Sequence, residues 1–209
     1  MYCKENGEAL LLEQEDLIYP ADRYVWEEAC CFLRQRIDRG LLPVHISVNV
    51  SRSDLYKSDF RAFLHYLTEK YELRPEMLHL EILERAYMKD SPYLTEILKT
   101  LRMDGFRIEI DDFGIGDSSL TALTEMPADC LKLDRSFLLH NFPSVKQQEI
   151  ICLIVNFAKT CGYKVIAEGI ETAEHAEFLR SIGCDYGQGY FYYRPMPAVN
   201  LLEKPFGAI

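Results

Sequence analysis

Beyond Gly40 the chain alternates six times between a short apolar run and a longer amphipathic stretch. The short runs fall at 44–50, 78–83, 107–110, 130–133, 164–167 and 185–188. The long ones fall at 59–71, 91–104, 118–124, 145–161 and 172–182, with a brief last one after Pro197. Short runs rich in Val, Ile and Leu read as strands, and stretches with an apolar repeat near 3.6 read as helices. Strand then helix, repeated, leaves few solutions. Each helix carries the chain back to the same end of the sheet, so the strands lie parallel and the helices cover them. The expectation is an α/β fold, a TIM-like (β/α) barrel with six recognisable βα units. A full barrel has eight, so this one is expected to be incomplete at its N-terminus. Its exposed strand edges would favour pairing with another chain.

Ahead of the first strand, 22–39 reads as a helix capped by Asp22, with Val25, Trp26, Ala29, Cys30 and Leu33 on one face. No linker, low-complexity tract or charge block divides the chain, so 1–209 is read as one domain with 1–10 unassigned. The net charge of −10 and pI near 5.0 argue against a nucleic-acid polymer or an anionic membrane surface as partner. No apolar run reaches membrane-spanning length and the N-terminus lacks a signal-peptide core, which points to the cytoplasm. The seven cysteines form no CxxC pair and read as reduced core residues. The five histidines are dispersed without metal-ligand spacing, so no His-based zinc site is expected.

The strand ends carry the chemistry. In order they are Asn49, Glu81, Asp111 with Asp112, Lys132, Glu168 and Gln188. A parallel barrel brings all of these to the one face where such folds build their sites. The richest stretch is FRIEIDDFGIGDSSL, residues 106–120. There an alternating strand ends in two carboxylates, a Gly-punctuated turn, and Ser118 and Ser119, which can cap the next helix. Asp-Asp before Gly is also ordinary turn chemistry. Six successive strands with polar ends favour a shared site. Asn, Glu and Asp are hard oxygen ligands that suit Mg²⁺, Mn²⁺ or Ca²⁺ rather than zinc. Two such ions can stabilise the attacking and leaving oxygens of an in-line phosphoryl displacement. Lys132 would neutralise phosphate charge or orient the water, or else pair with Asp134. Glu168 would be a ligand or the proton acceptor. Gln188, between two glycines, would hydrogen-bond a metal-bound water or the ligand. Glu84 and Glu171, each three residues past a site residue, would hold loops.

Six motifs in order resemble the EAL domain family over residues 11–202. They are Ser47-Val48-Asn49-Val50-Ser51, Leu78-His79-Leu80-Glu81-Ile82-Leu83-Glu84 and Asp111-Asp112-Phe113-Gly114. Then come Leu131-Lys132-Leu133-Asp134-Arg135-Ser136-Phe137, Ala167-Glu168-Gly169-Ile170-Glu171-Thr172 and Gln188-Gly189-Tyr190. The resemblance implies hydrolysis of the bacterial second messenger cyclic-di-GMP to linear pGpG, in a barrel with two metals, usually Mg²⁺ or Mn²⁺. It implies Asn49, Glu81, Asp111, Asp112 and Glu168 as metal ligands and Lys132 as the residue that positions water. Gln188 matches the family's site glutamine, Glu84 the glutamate that holds the Asp-Asp loop, and Glu171 a further acidic site residue. Glu8-Ala9-Leu10 spells the family's name, but residues 11–31 resemble the helical segment that follows the true motif. That motif's Glu is therefore expected to fall before Met1. Ile115, Asp117 and Leu83 also depart from the family pattern. These departures imply an alternative: a module that binds cyclic-di-GMP or a protein partner without turnover. A homodimer, or a signalling domain upstream, is the partner expected beside the nucleotide.

Overall fold

The structure is a computed structural model that describes residues 17–88, 91–114, 120–138 and 143–202. It opens with helix α1, Ile18–Asp38, four residues ahead of the expected start. Pro20 explains the shift, because a proline in the first turn gives up an N–H that has no partner there anyway. Asp22 is therefore a buried residue inside the helix and not its cap. Trp26, Cys30 and Leu33 form the fully buried stripe of α1. Trp26 packs edge-on against Phe60 at 5.4 Å and donates its ring N–H to the Asn49 carbonyl at 2.9 Å.

Six strands follow: β1 Ile46–Asn49, β2 Leu78–Leu83, β3 Arg107–Phe113, β4 Cys130–Leu133, β5 Lys164–Ala167 and β6 Tyr186–Gly187. Between β1 and β2 lie α2 (Arg52–Leu55) and α3 (Phe60–Lys70); α4 (Glu84–Met88) and α5 (Ser91–Met103) lead to β3. Then α6 (Leu120–Glu125), α7 (Val145–Thr160) and α8 (Ala173–Ser181) separate the later strands, and α9 (Ala198–Leu201) closes the described chain. All neighbouring strands pair in parallel, in the order β1-β2-β3-β4-β5-β6.

The sheet is curled. Laid flat, six strands would hold their outer edges about 24 Å apart. Instead the ring of His45, just before β1, meets that of Tyr186 on β6 at 6.3 Å between centroids. The result is an incomplete barrel with two strand edges, β1 and β6, among the described residues. Its outer face is apolar and lies under the helices: Leu78, Leu80, Ile82, Ile108, Ile110, Leu131 and Val165 are all buried. The alternate residues, His79 and Glu81 on β2, Glu109 and Asp111 on β3 and Lys132 on β4, turn to the other face. Two aspartates fix the sheet's base. Asp129 accepts the Ile108 amide and Asp185 the Val165 amide, each at 3.0 Å.

Three strands differ from their expected bounds. β1 starts two residues late because its partner β2 is preceded by the 3-10 turn Pro75–Met77, which offers no ladder to residues 44 and 45. β6 is only two residues long, since the chain turns away at Gly189. A Cβ at Gly189 would come within 2.1 Å of the Ile170 carbonyl, so only glycine allows this backbone approach. β3 runs three residues longer than expected and takes both aspartates into the strand. The cysteine expectation holds in part: the six described cysteines are free, but only Cys30 and Cys130 are buried. Cys3, Ile115, Asp117, Ser118, Ser119 and the whole of 1–10 lie outside the described residues.

Beside β1, a groove of about 940 Å³ runs between α1, the strand and α9. Val25, Ala29, Phe32, Val44, Val48 and Val199 are among its walls. The buried Arg36 ties its base together by donating to the Leu202 carbonyl at 2.7 Å.

Candidate active site

The inward residues at the C-terminal ends of β2 to β5 meet around one ammonium. Lys132 Nζ lies 2.7 Å from Glu81 Oε1, 2.7 Å from Glu168 Oε1 and 3.3 Å from Asp111 Oδ1. The lysine is 3 % exposed, so these contacts take place largely out of water. Asp134, the alternative partner, accepts the Ser136 amide at 2.8 Å instead. Burial opposes the Lys132 charge, but the carboxylates of Glu81, Glu168 and Asp111 outweigh it and hold the lysine above its ordinary pKa. Burial pushes Glu81 up to about 7 against the pull of Lys132, with Asp111 and Glu109 adding to the rise. Glu168 is raised for the same first reason. Three carboxylates against one ammonium leave the cluster short of positive charge, and Glu81 and Glu168 keep a proton to higher pH than an ordinary glutamate.

The two aspartates are separated by a bulge. From Ile110 to Phe113 β3 advances three residues while β4 advances two, Leu131 to Leu133. The extra residue is absorbed at Asp112, which sits at φ 59°. Asp is among the few side chains that tolerate this left-handed region, and bulges commonly re-aim side chains beside sites. Asp111 therefore reaches Lys132, while the charge of Asp112 is felt by Glu168 across the sheet. Gly114 ends the strand at φ 94°, where a Cβ would strike the Phe137 ring at 2.5 Å. Its amide donates to Glu84 Oε2 at 3.4 Å, a long bond that ties the end of β3 to the first residue of α4.

Asn49, in register with Glu81, is exposed at the end of β1. Gln188 is exposed just past β6, its amide bonded to the Ala167 carbonyl at 2.8 Å. Glu171 is exposed on the loop after β5. Thus Glu81, Asp111, Lys132 and Glu168 form a contacting core, Asp112 borders it, Glu84 supports its loop, and Asn49, Gln188 and Glu171 stand at the rim. Sequence reasoning missed Glu109. It lies two residues before Asp111 on the same face, 1 % exposed, with Oε1 2.6 Å from His79 Nδ1. The period-two pattern of Glu109 and Asp111 was the signal that could have found it.

The donor set fits a hard dication. Asp111 Oδ1 is buried and has no hydrogen-bond partner among the described residues, where it meets Lys132 as a charge at 3.3 Å. The available donors are carboxylate and amide oxygens, as Mg²⁺ and Mn²⁺ prefer.

The chain is similar to known proteins. MucR of Pseudomonas aeruginosa, described as a bifunctional diguanylate cyclase and cyclic di-GMP phosphodiesterase, is 36% identical over 194 residues, or 93% of this chain and 28% of that protein. NbdA of the same organism, a cyclic di-GMP phosphodiesterase, is 35% identical over 193 residues, 92% of this chain and 25% of that protein. The chain thus spans about a quarter of the length of these relatives. The solved MucR phosphodiesterase in complex with cyclic-di-GMP superposes with a TM-score of 0.85, covering 93% of this chain and 78% of that one at 36% identity. Residues 9–195 match the EAL domain, and with the curled sheet and its carboxylate cluster in place, the chain belongs to the EAL domain family.

Proposed function

We propose that this chain is a metal-dependent phosphodiesterase domain that hydrolyses cyclic-di-GMP to the linear dinucleotide pGpG. The observation that carries the reading is the buried meeting of Glu81, Asp111 and Glu168 on Lys132, drawn from four successive strands. A relative that supports it is MucR, whose phosphodiesterase structure is a complex with cyclic-di-GMP. Asn49, Glu81, Asp111, Asp112 and Glu168 would hold one or two Mg²⁺ or Mn²⁺ ions. Bound there, such ions supply Lewis-acid stabilisation of the phosphoryl oxygens and a more acidic water. Lys132 would orient the attacking water and balance charge on the phosphate, and Glu168 would serve as a ligand or accept the water's proton. Gln188 and Glu171 at the rim hold the nucleotide and its loop, and Glu84 acts as a positioning residue through Gly114.

No helix among the described residues is long and apolar enough to cross a membrane, and the reading carries with it a cytoplasmic location. A second copy of the chain is the protein partner we assign to it, ahead of an upstream signalling domain.

The test is titration of the purified chain with cyclic-di-GMP in Mn²⁺, following the heat of binding and the linear product together. Binding with pGpG formation is the expected result. Binding without product would favour the receptor-like alternative. Absence of both would sink the assignment. In parallel, Asp111→Ala should abolish the rise in melting temperature that Mn²⁺ gives the unsubstituted chain, and an unchanged rise would remove Asp111 from the ligand set.

A further inference from the structure

Beneath the carboxylate cluster the fold assembles a second polar group of different chemistry. His45 before β1, His79 on β2 and Glu109 on β3 each offer one ligand atom, and these atoms all lie within 4.8 Å of one another. The spacing of the histidines along the chain does not reveal this group, which forms only when β2 and β3 pair in parallel and the residue ahead of β1 lies against them. The His45 and His79 rings stack at 4.0 Å between centroids and within 3° of parallel. Two imidazolium cations would repel at that spacing, so the pair keeps at least one ring nitrogen as a lone-pair donor.

Glu109 supplies the second indication. Its Oε1 is engaged by His79 at 2.6 Å, but Oε2 is enclosed and no hydrogen bond of proper geometry reaches it among the described residues. The nearby Ser47 hydroxyl and Lys132 ammonium steady the carboxylate's charge without satisfying that oxygen. A buried carboxylate oxygen held by no more than a loose contact with a hydroxyl is costly unless something of opposite charge fills its place. Access is available, since His45 is exposed and lines the groove between α1, β1 and α9.

We propose that His45, His79 and Glu109 bind a transition-metal dication of the zinc class, at a site separate from the oxygen ligands above. Two imidazoles and one carboxylate are the three-ligand set that Zn²⁺ accepts with a position left open, and imidazole selects against Mg²⁺. The exposed His45 turns about its side-chain bonds to break the stack and aim a nitrogen at the ion. Glu109 and His79, fixed on β3 and β2, form the rigid half of the site. An ion there ties β2 and β3 to the segment just ahead of the open-edge strand β1.

The site is tested with the full chain and zinc chloride alone, by calorimetric titration in excess Mg²⁺, which occupies the hard oxygens but competes poorly for imidazole. One Zn²⁺ per chain is expected. His45→Ala and His79→Asn should each weaken it by roughly tenfold or more, the scale of effect seen for groups that build a metal site. Asp111→Asn, which cripples only the upper cluster, should leave this binding in place. Co²⁺ should give visible d–d absorption in the unsubstituted chain and lose it in His45→Ala. Because His45 is exposed, a metal-free melting temperature equal to the unsubstituted chain's serves as the folding control. Equal Zn²⁺ affinity in His45→Ala, absence of Zn²⁺ binding in the unsubstituted chain, or loss of binding in Asp111→Asn alone would each overturn the proposal.

Discussion

Glu81 carries a consequence that can be read on a pH axis. Burial raises its folded-state pKa to about 7, from an ordinary 4.5. Between those values the unfolded chain has released a proton that the folded chain still holds, so this group makes metal-free stability fall as pH rises from about 4.5 to 7 and level off above. A dication must displace that proton. Mn²⁺ should therefore raise the melting temperature more at about pH 8 than at about pH 6, and Glu81→Gln should flatten the metal-free slope. Scanning calorimetry at the two pH values checks both, and a Mn²⁺ effect larger at the lower pH would contradict the assignment. At this scale much was legible in advance. Asn49, Glu81, Asp111, Lys132, Glu168 and Gln188 sit at the strand ends where alternation placed them. The His45–His79–Glu109 group was not legible, because its ring stacking and enclosed carboxylate depend on how segments far apart in the chain pack together, which no spacing along the chain encodes.

Each element was legible in kind, and its ends were settled by neighbours. β4 and β5 match their expected spans because they pair with each other residue for residue, and β2 matches because β1 and β3 between them cover Leu78 to Leu83. β1 shortens where β2 offers no partner, and β3 lengthens through a bulge that an alternating pattern does not reveal. Helix α2 was unexpected, though its signature is plain in hindsight: Ser51 accepts the Asp54 amide at 3.2 Å and Asp54 accepts the Ser51 amide at 2.7 Å. Ser51→Ala should cost about 1 kcal/mol of stability, as the loss of a helix cap does, and chemical denaturation measures it. Gly189 is the more severe case. Its Cβ would lie 2.1 Å from backbone, which cannot move aside as a side-chain tip can. Gly189→Ala should therefore cost about 2–3 kcal/mol, a fall in Tm of roughly 5–10 °C for a chain of this size. It should also impair Gln188, the neighbouring rim residue. Stability unchanged within about 0.5 kcal/mol would mean that the turn after β6 relaxes freely.

At the scale of the whole molecule, the edge left open among the described residues is expected to govern association in solution. β1 pairs only with β2 among the described residues, and the groove beside it is walled by Val25, Ala29, Phe32, Val44 and Val48. An unpaired parallel edge next to an apolar groove is a template for a further strand. A second copy suits it by symmetry. Glu28 and Arg39 both line the groove, both exposed and about 16 Å apart along α1. A two-fold axis through the groove lays the two α1 helices antiparallel and brings each copy's Glu28 toward the other's Arg39. The net charge of −10 on each chain opposes this at long range, which makes the association weak at low salt. Light scattering over a range of concentrations should show a monomer that dimerises reversibly. Val44→Lys, which puts a charge beside the edge without touching the carboxylate cluster, should return it to monomer while Mn²⁺ stabilisation persists. A chain that stays monomeric at high concentration would show that the edge is covered in some other way. A dimer indifferent to Val44→Lys would move the contact to another face. Charge reversal at both partners, Glu28→Arg with Arg39→Glu, then separates pairing across the groove from simple apolar adhesion: each single change should weaken the dimer and the double change restore it.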